Sequence, residues 1–61
     1  MQREALQEIN IQIEEIEELI THFLILKELH PDQEIYLDEL AFWRRYLQRA
    51  KKIKREVIAV I

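Results

Sequence analysis

The 61-residue sequence contains no cysteine, no glycine and a single proline. Without cysteine, the chain has no disulfide framework, no thiolate metal site and no cysteine nucleophile. Without glycine, a glycine-rich phosphate-binding loop is excluded, and the glycine turns that many sheet proteins use are missing. Apolar residues make up 49% of the chain. This composition and length predict one small all-α domain over residues 1–61.

Long hydrophobic runs are also missing. No apolar run approaches the ~18 residues that a membrane-spanning helix needs. At the N-terminus, no basic segment leads into an apolar one, as it would in a signal peptide. The sequence therefore predicts no transmembrane segment, and a cytoplasmic location is the default expectation.

One proline-containing break, LHPDQE, divides the sequence. Pro31 disfavours α geometry in the residue before it, so a first helix should end near Leu29. Proline is also accepted in the first turn of a helix, and Asp32 and Glu34 suit the positive end of a helix dipole. We predict a first helix over about 3–29, a turn at 30–31 and a second helix over about 32–61.

Apolar residues recur at alternating spacings of three and four in both halves, the pattern of a coiled-coil seam. The first helix carries Leu6, Ile9, Ile13, Ile16, Ile20 and Phe23. The second carries Tyr36, Leu40, Trp43, Leu47, Ala50, Lys54, Val57 and Ile61. When the chain folds back after Pro31, the two series meet in order, which predicts an antiparallel two-helix hairpin. Two of the predicted pairs contain a lysine in place of an apolar residue: Lys54 opposite Ile9 and Lys27 opposite Tyr36. The aliphatic stem of a lysine can lie along the seam while its charged end stays in water.

The two sides of this seam differ in character. One side, the charged flank, brings Glu17 beside Arg44 and Asn10 beside Lys51, with Glu14 close to both basic residues. Exposed ion pairs contribute only about 0–1 kcal/mol each. They nevertheless help to select the orientation of paired helices.

The opposite side is apolar. There Leu19 comes beside Tyr46, and the same register places Gln12 beside Ile53 and Ala5 beside Val60. We call the following residues the apolar strip: Leu19, Leu26, Leu29, Ile35, Phe42, Tyr46, Ile53 and Val60. A strip of this length predicts an interface. It is either the core of a homodimeric four-helix bundle or the binding surface for a different, helical partner protein.

A basic face on the second helix offers an alternative function. It consists of Arg45, Arg49, Lys52 and Arg55. Such a stripe is typical of phosphate contacts in RNA- or DNA-binding proteins, and it also suits a helix lying on a membrane surface. The net charge of −3 and the Glu-rich first helix argue against a polyanion, and we expect neither nucleic acid nor a membrane surface as the partner. We therefore expect a solvated face, with Lys52 and Glu56 as an ordinary i, i+4 pair.

Residues for catalysis or metal binding are not arranged in any known pattern. The chain has no serine, and Asp38 and Glu39 point in different directions on a helix because they are adjacent. His22 and Glu18 share a helical face, but one His–Glu pair falls short of a metal's usual ligand count. The sequence therefore predicts no enzyme, no metal and no cofactor.

Protein–protein interaction remains as the predicted function. At the level of the fold alone, the hairpin resembles the two-helix RNA-binding plasmid copy-number regulators and the hairpin co-chaperones of type III secretion needle subunits. The sequence contains no motif of either family. We predict an adaptor, a co-chaperone or a small regulator that homodimerises or binds a partner through the apolar strip.

Overall fold

The computed structural model describes residues 2–60, with side chains described over 3–60. It contains two α-helices, α1 (Gln2–Leu29) and α2 (Ile35–Val60), and the described part of the chain has no strand. The helices pack against each other along their length. This confirms the all-α class and the antiparallel hairpin. The predicted pairing of Ile61 lies outside the described residues.

The turn between the helices is longer than predicted. The amide of Gln33 donates to the carbonyl of His30 at 3.1 Å, which closes a tight turn with Pro31 in the position that proline favours. The carbonyl of Glu34 then accepts from Leu37 at 3.0 Å, as an N-terminal capping residue does. Because these bonds occupy 30–34, α2 begins at Ile35, and the prediction of a helix starting at 32 was wrong.

The seam forms the core. Ile13, Ile16 and Ala50 are buried in one cluster, and half-buried residues of both helices pack against it: Ile9, Ile20, Trp43 and Leu47. Leu40, only 3% exposed, is buried nearer the turn. All of these are predicted seam positions, and Lys54 is half-buried among them. The burial pattern therefore confirms the two heptad series within the described residues.

Aromatic rings meet in the seam beside the turn. The ring of Tyr36 lies 6.3 Å from the ring of Phe23 and 6.2 Å from that of His30. Tyr36 is half-buried there, and contacts between aromatic rings are favourable at these distances. Lys27, predicted opposite Tyr36, is exposed.

The charged flank is charged over only part of its length. Glu17 and Arg44 are both exposed, and the side-chain hydrogen bonds of residues 3–60 include none between them. Closer to the turn the same flank carries Leu24 and Leu37, which are 38% and 50% exposed. The division into a charged side and an apolar side therefore holds away from the turn and fails near it.

Candidate functional site

The apolar strip lies on the surface. Leu19 and Leu26, the members nearest the seam, are half-buried. The other six are Leu29 at 67% exposure, Ile35 at 59%, Phe42 at 52%, Tyr46 and Ile53 at 44% each, and Val60 at 71%. The strip is thus an apolar surface that the hairpin itself leaves open.

Five members of the strip line a groove between the two helices: Leu19, Phe42, Tyr46, Ile53 and Val60. At the end of the groove nearer the turn, Leu19 and Tyr46 line the same depression, as their predicted pairing requires, together with Phe42 and Trp43. Its volume is about 330 Å³, at the small end of the range for small-molecule sites.

The groove continues along the hairpin. A middle depression of about 440 Å³ is lined by Gln12 and Ile53, and a third, at the far end, by Ala5 and Val60. Both pairs were predicted to lie beside each other. Neighbouring depressions share lining residues: Gln12 and Tyr46 at one junction, and Ala5, Ile53 and Val57 at the next. The three depressions therefore form one groove along the apolar flank.

Aromatic rings dominate the groove's turn-proximal half. The ring centroid of Trp43 lies 5.1 Å from that of Phe42 and 5.6 Å from that of Tyr46, both edge-on. Phe42 and Tyr46 stack at 6.3 Å. The indole nitrogen of Trp43 donates to Oε2 of Glu39 at 3.1 Å. Trp43 thus packs in the seam as predicted, while Glu39 satisfies its one polar atom.

The basic face lies on the surface of α2. Arg45, Arg49, Lys52 and Arg55 are all exposed. Arg45 folds back on its own helix, and its Nε donates to the carbonyl of Ala41 at 3.4 Å. Arg45 and Arg49 flank the stacked rings of Phe42 and Tyr46, and the four residues line a small outer depression. The basic face therefore meets the apolar strip along one edge.

Sequence reasoning missed several exposed apolar residues. They lie outside both the seam and the apolar strip: Ile11, Leu24, Ile25, Leu37 and Ile58. Extending the heptad assignment to the outer positions of each helix reveals them. The Glu39–Trp43 bond was also missed, although its i, i+4 spacing was visible. Of these extra residues, Leu24, Ile25 and Leu37 make the turn end apolar on more than one side.

Other kinds of site find little support in the described part of the chain. His22 is exposed, with its ring edge-on to Phe23 at 5.7 Å. Among the described residues, no group of three or more His, Asp or Glu side chains is placed to hold a metal ion. No described helix is both long enough and apolar enough to cross a membrane.

Comparison with known proteins identifies no relative. No family model matches the chain, and neither a curated protein nor a solved structure does.

Proposed function

We propose that the chain is a non-enzymatic protein-interaction module that binds through its apolar strip, as an adaptor, a co-chaperone or a small regulator. The observation that supports this is the groove along the apolar flank, which combines exposed apolar side chains with three clustered aromatic rings. Aromatic residues are enriched where interfaces gain most of their binding energy.

The hairpin has a small hydrophobic core, so association with another protein would stabilise it. Among residues 3–60, only four apolar side chains are buried, and none of them is completely covered. A fully buried large apolar side chain contributes about 1.5–3 kcal/mol relative to an exposed one. Small domains with so little core usually need additional stabilisation, and association is one way to supply it. Covering the strip would add several such side chains to the buried set.

We expect no catalytic activity. The chain has neither serine nor cysteine. Among serine, threonine and cysteine, the usual nucleophiles, it contains one threonine, which is exposed. Thr21 donates its hydroxyl to the carbonyl of Glu17 at 3.0 Å, within its own helix. Glu39, which is half-buried, accepts the indole proton of Trp43. Neither group is arranged with a partner that would activate it.

Site-specific photocrosslinking tests the proposal. Phe42 is replaced by p-benzoylphenylalanine in cells that naturally make the protein, and Ile58 is replaced in a matched control. The two positions are 52% and 51% exposed, but only Phe42 belongs to the apolar strip. We expect a defined protein adduct from position 42 and not from position 58. The adduct should be lost when Ile53→Asp is added elsewhere in the strip.

Absence of an adduct from position 42, or equal yields from both positions, would contradict the proposal. The mass of the adduct identifies the occupant of the groove. An adduct of twice the mass of the chain is a second copy, and any other mass is a different partner protein.

Nucleic-acid binding is the second candidate, supported by the outer depression where Arg45 and Arg49 flank stacked aromatic rings. Guanidinium groups beside exposed rings can contact phosphates and stacked bases. Fluorescence anisotropy with structured RNA and duplex DNA tests it. The first proposal predicts no binding tighter than about 10 μM at physiological salt, weaker than specific complexes usually achieve.

A charge-matched pair of variants makes this measurement specific. The double change Arg45→Ala, Arg49→Ala should abolish binding if the basic face is used. Arg44→Ala, Lys51→Ala removes the same charge from the opposite flank, where both residues are also exposed. Submicromolar binding that falls steeply with salt and is lost only in the first variant would favour the second candidate.

A further inference from the structure

The surface area of the hairpin indicates how large a partner it needs. Its solvent-accessible surface is 5171 Å², whereas a compact monomer of 7.5 kDa is expected to expose about 4,200 Å². The excess is roughly 900 Å². A standard protein interface buries about 800 Å² from each partner. The excess surface of this chain therefore matches one side of a stable interface.

The shape of the hairpin accounts for this excess. Its Cα atoms span 46 × 15 × 10 Å with a radius of gyration of 14.2 Å, against about 10–11 Å for a compact chain of this length. A flat pair of helices exposes two broad faces, and the groove follows one of them. A second hairpin has the same length and the same apolar face, so stacking two copies covers both grooves at once.

Charges near mid-length distinguish the two possible symmetric stackings. Glu15 lies near the middle of α1 at the edge of the groove, and Arg49 lies near the middle of α2. When the two turns lie at opposite ends of the dimer, α1 packs on α1 of the other copy and α2 on α2. Glu15 then faces Glu15 of the other copy, and Arg49 faces Arg49. With the turns at the same end, α1 lies over α2 of the other copy, and Glu15 meets Arg49 twice. Complementary charges favour this second arrangement.

The distribution of apolar residues favours the same stacking. Three aromatic rings and Glu15 line the half of the groove nearer the turn, whereas Glu8 and Glu56 line its far half among aliphatic residues. Turns at the same end bring the ring clusters of the two copies together, while turns at opposite ends would shift each cluster towards the carboxylates in the far half of the other copy. The favoured stacking brings Glu8 level with Glu56, but both are exposed at the rim, where salt screens their repulsion.

We propose that the groove is filled by a second copy of this chain, stacked face to face with both turns at the same end, to give a symmetric four-helix bundle. This inference rests on the proposed function, because it uses the same apolar strip. It names the occupant and fixes its orientation. Four-helix bundles with antiparallel neighbouring helices are built from just such paired hairpins.

Sedimentation equilibrium of two matched variants tests the occupant. Ile53→Asp and Ile58→Asp introduce the same charge in the same helix at 44% and 51% exposed positions, but only Ile53 lines the groove. The wild-type chain should be dimeric at micromolar concentration. Ile53→Asp should raise the dimer dissociation constant by at least about 100-fold, since a symmetric interface carries the change twice. Ile58→Asp should raise it less than about threefold, as expected for a substitution outside an interface.

Spin labelling tests the orientation. The chain has no cysteine, so Asp32→Cys in the exposed turn accepts a single label. Turns at the same end should give an inter-label distance of about 20 Å, because packed helices lie about 8–10 Å apart. Turns at opposite ends would give a distance close to the 46 Å length of the hairpin and would overturn the proposed stacking.

Two further results would overturn the occupant. If the wild-type chain is monomeric and fully helical at tens of micromolar, a second copy does not occupy the groove. The same conclusion follows if Ile58→Asp weakens the dimer as much as Ile53→Asp does. The proposed function fails separately, through the crosslinking experiment. An adduct at Phe42 with a different protein would retain the interaction module while excluding a second copy as the occupant.

Discussion

Replacing Ile16 by alanine should be among the most damaging single changes in this chain. Ile16 is 4% exposed and belongs to the central buried cluster. Truncating a buried isoleucine to alanine costs about 2–5 kcal/mol, through lost transfer free energy and the cavity left behind. A domain of this length typically has only about 3–9 kcal/mol of stability in total. The substitution should therefore remove a large part of the free energy of unfolding.

Ile11→Ala provides the matched control. Ile11 lies in the same helix, five residues earlier, but is 54% exposed. Its truncation loses at most about half of the free energy that a fully buried isoleucine contributes. The better helix propensity of alanine offsets a few tenths of a kcal/mol of this loss. We expect a change of about 0–1 kcal/mol, so the two variants should differ by at least about 2 kcal/mol on these estimates.

Urea unfolding followed by circular dichroism measures both variants. All chains must be compared at one concentration, because association contributes to the apparent stability. Ile16→Val should cost about 0.5–1.5 kcal/mol. If the alanine variant fails to fold, the valine variant still allows the loss of stability at position 16 to be measured. Equal destabilisation at positions 11 and 16 would refute the assignment of the seam, and with it the position of the apolar strip.

Three further predictions test the stacking, the register and the turn. Glu15→Arg should weaken the dimer, and adding Arg49→Glu should restore it, as measured by sedimentation; with the turns at opposite ends the single change would only exchange one like-charged pair for another. Ile13→Cys combined with Ala50→Cys should form a disulfide within one chain under mild oxidation, and purely interchain products at low concentration would contradict the hairpin. Pro31→Ala should lower stability by about 0.4–1 kcal/mol in thermal unfolding, because the unfolded chain gains conformational freedom; no loss would mean that the turn does not depend on proline.

The seam and the hairpin could be predicted because they depend on local chemistry and a simple period. Alternating spacings of three and four place Ile13, Ile16 and Ala50 on helical faces that must be buried together, and the structure buries them. Pro31 fixes where the chain folds back. Once that point is known, the antiparallel register follows, and it correctly placed Leu19 beside Tyr46 in one groove.

The details of the candidate site required the tertiary structure. The bond from Gln33 to His30 delays the start of α2, and the ring of Tyr36 lies 6.3 Å from that of Phe23, a contact that the predicted pairing did not include. Both result from competition among several local arrangements of similar energy, which periodicity alone does not rank.

The sequence by itself determined which residues form the seam, because helical period and apolar side chains leave one consistent way to pair the helices. Only the tertiary structure decided how much of each remaining apolar side chain stays in contact with water. Exposure depends on the neighbours that a fold supplies from distant parts of the chain. Leu24 and Leu37 therefore proved to be open on the flank expected to be charged. Part of the apolar strip lines a groove for the same reason, because the walls of that groove come from both helices.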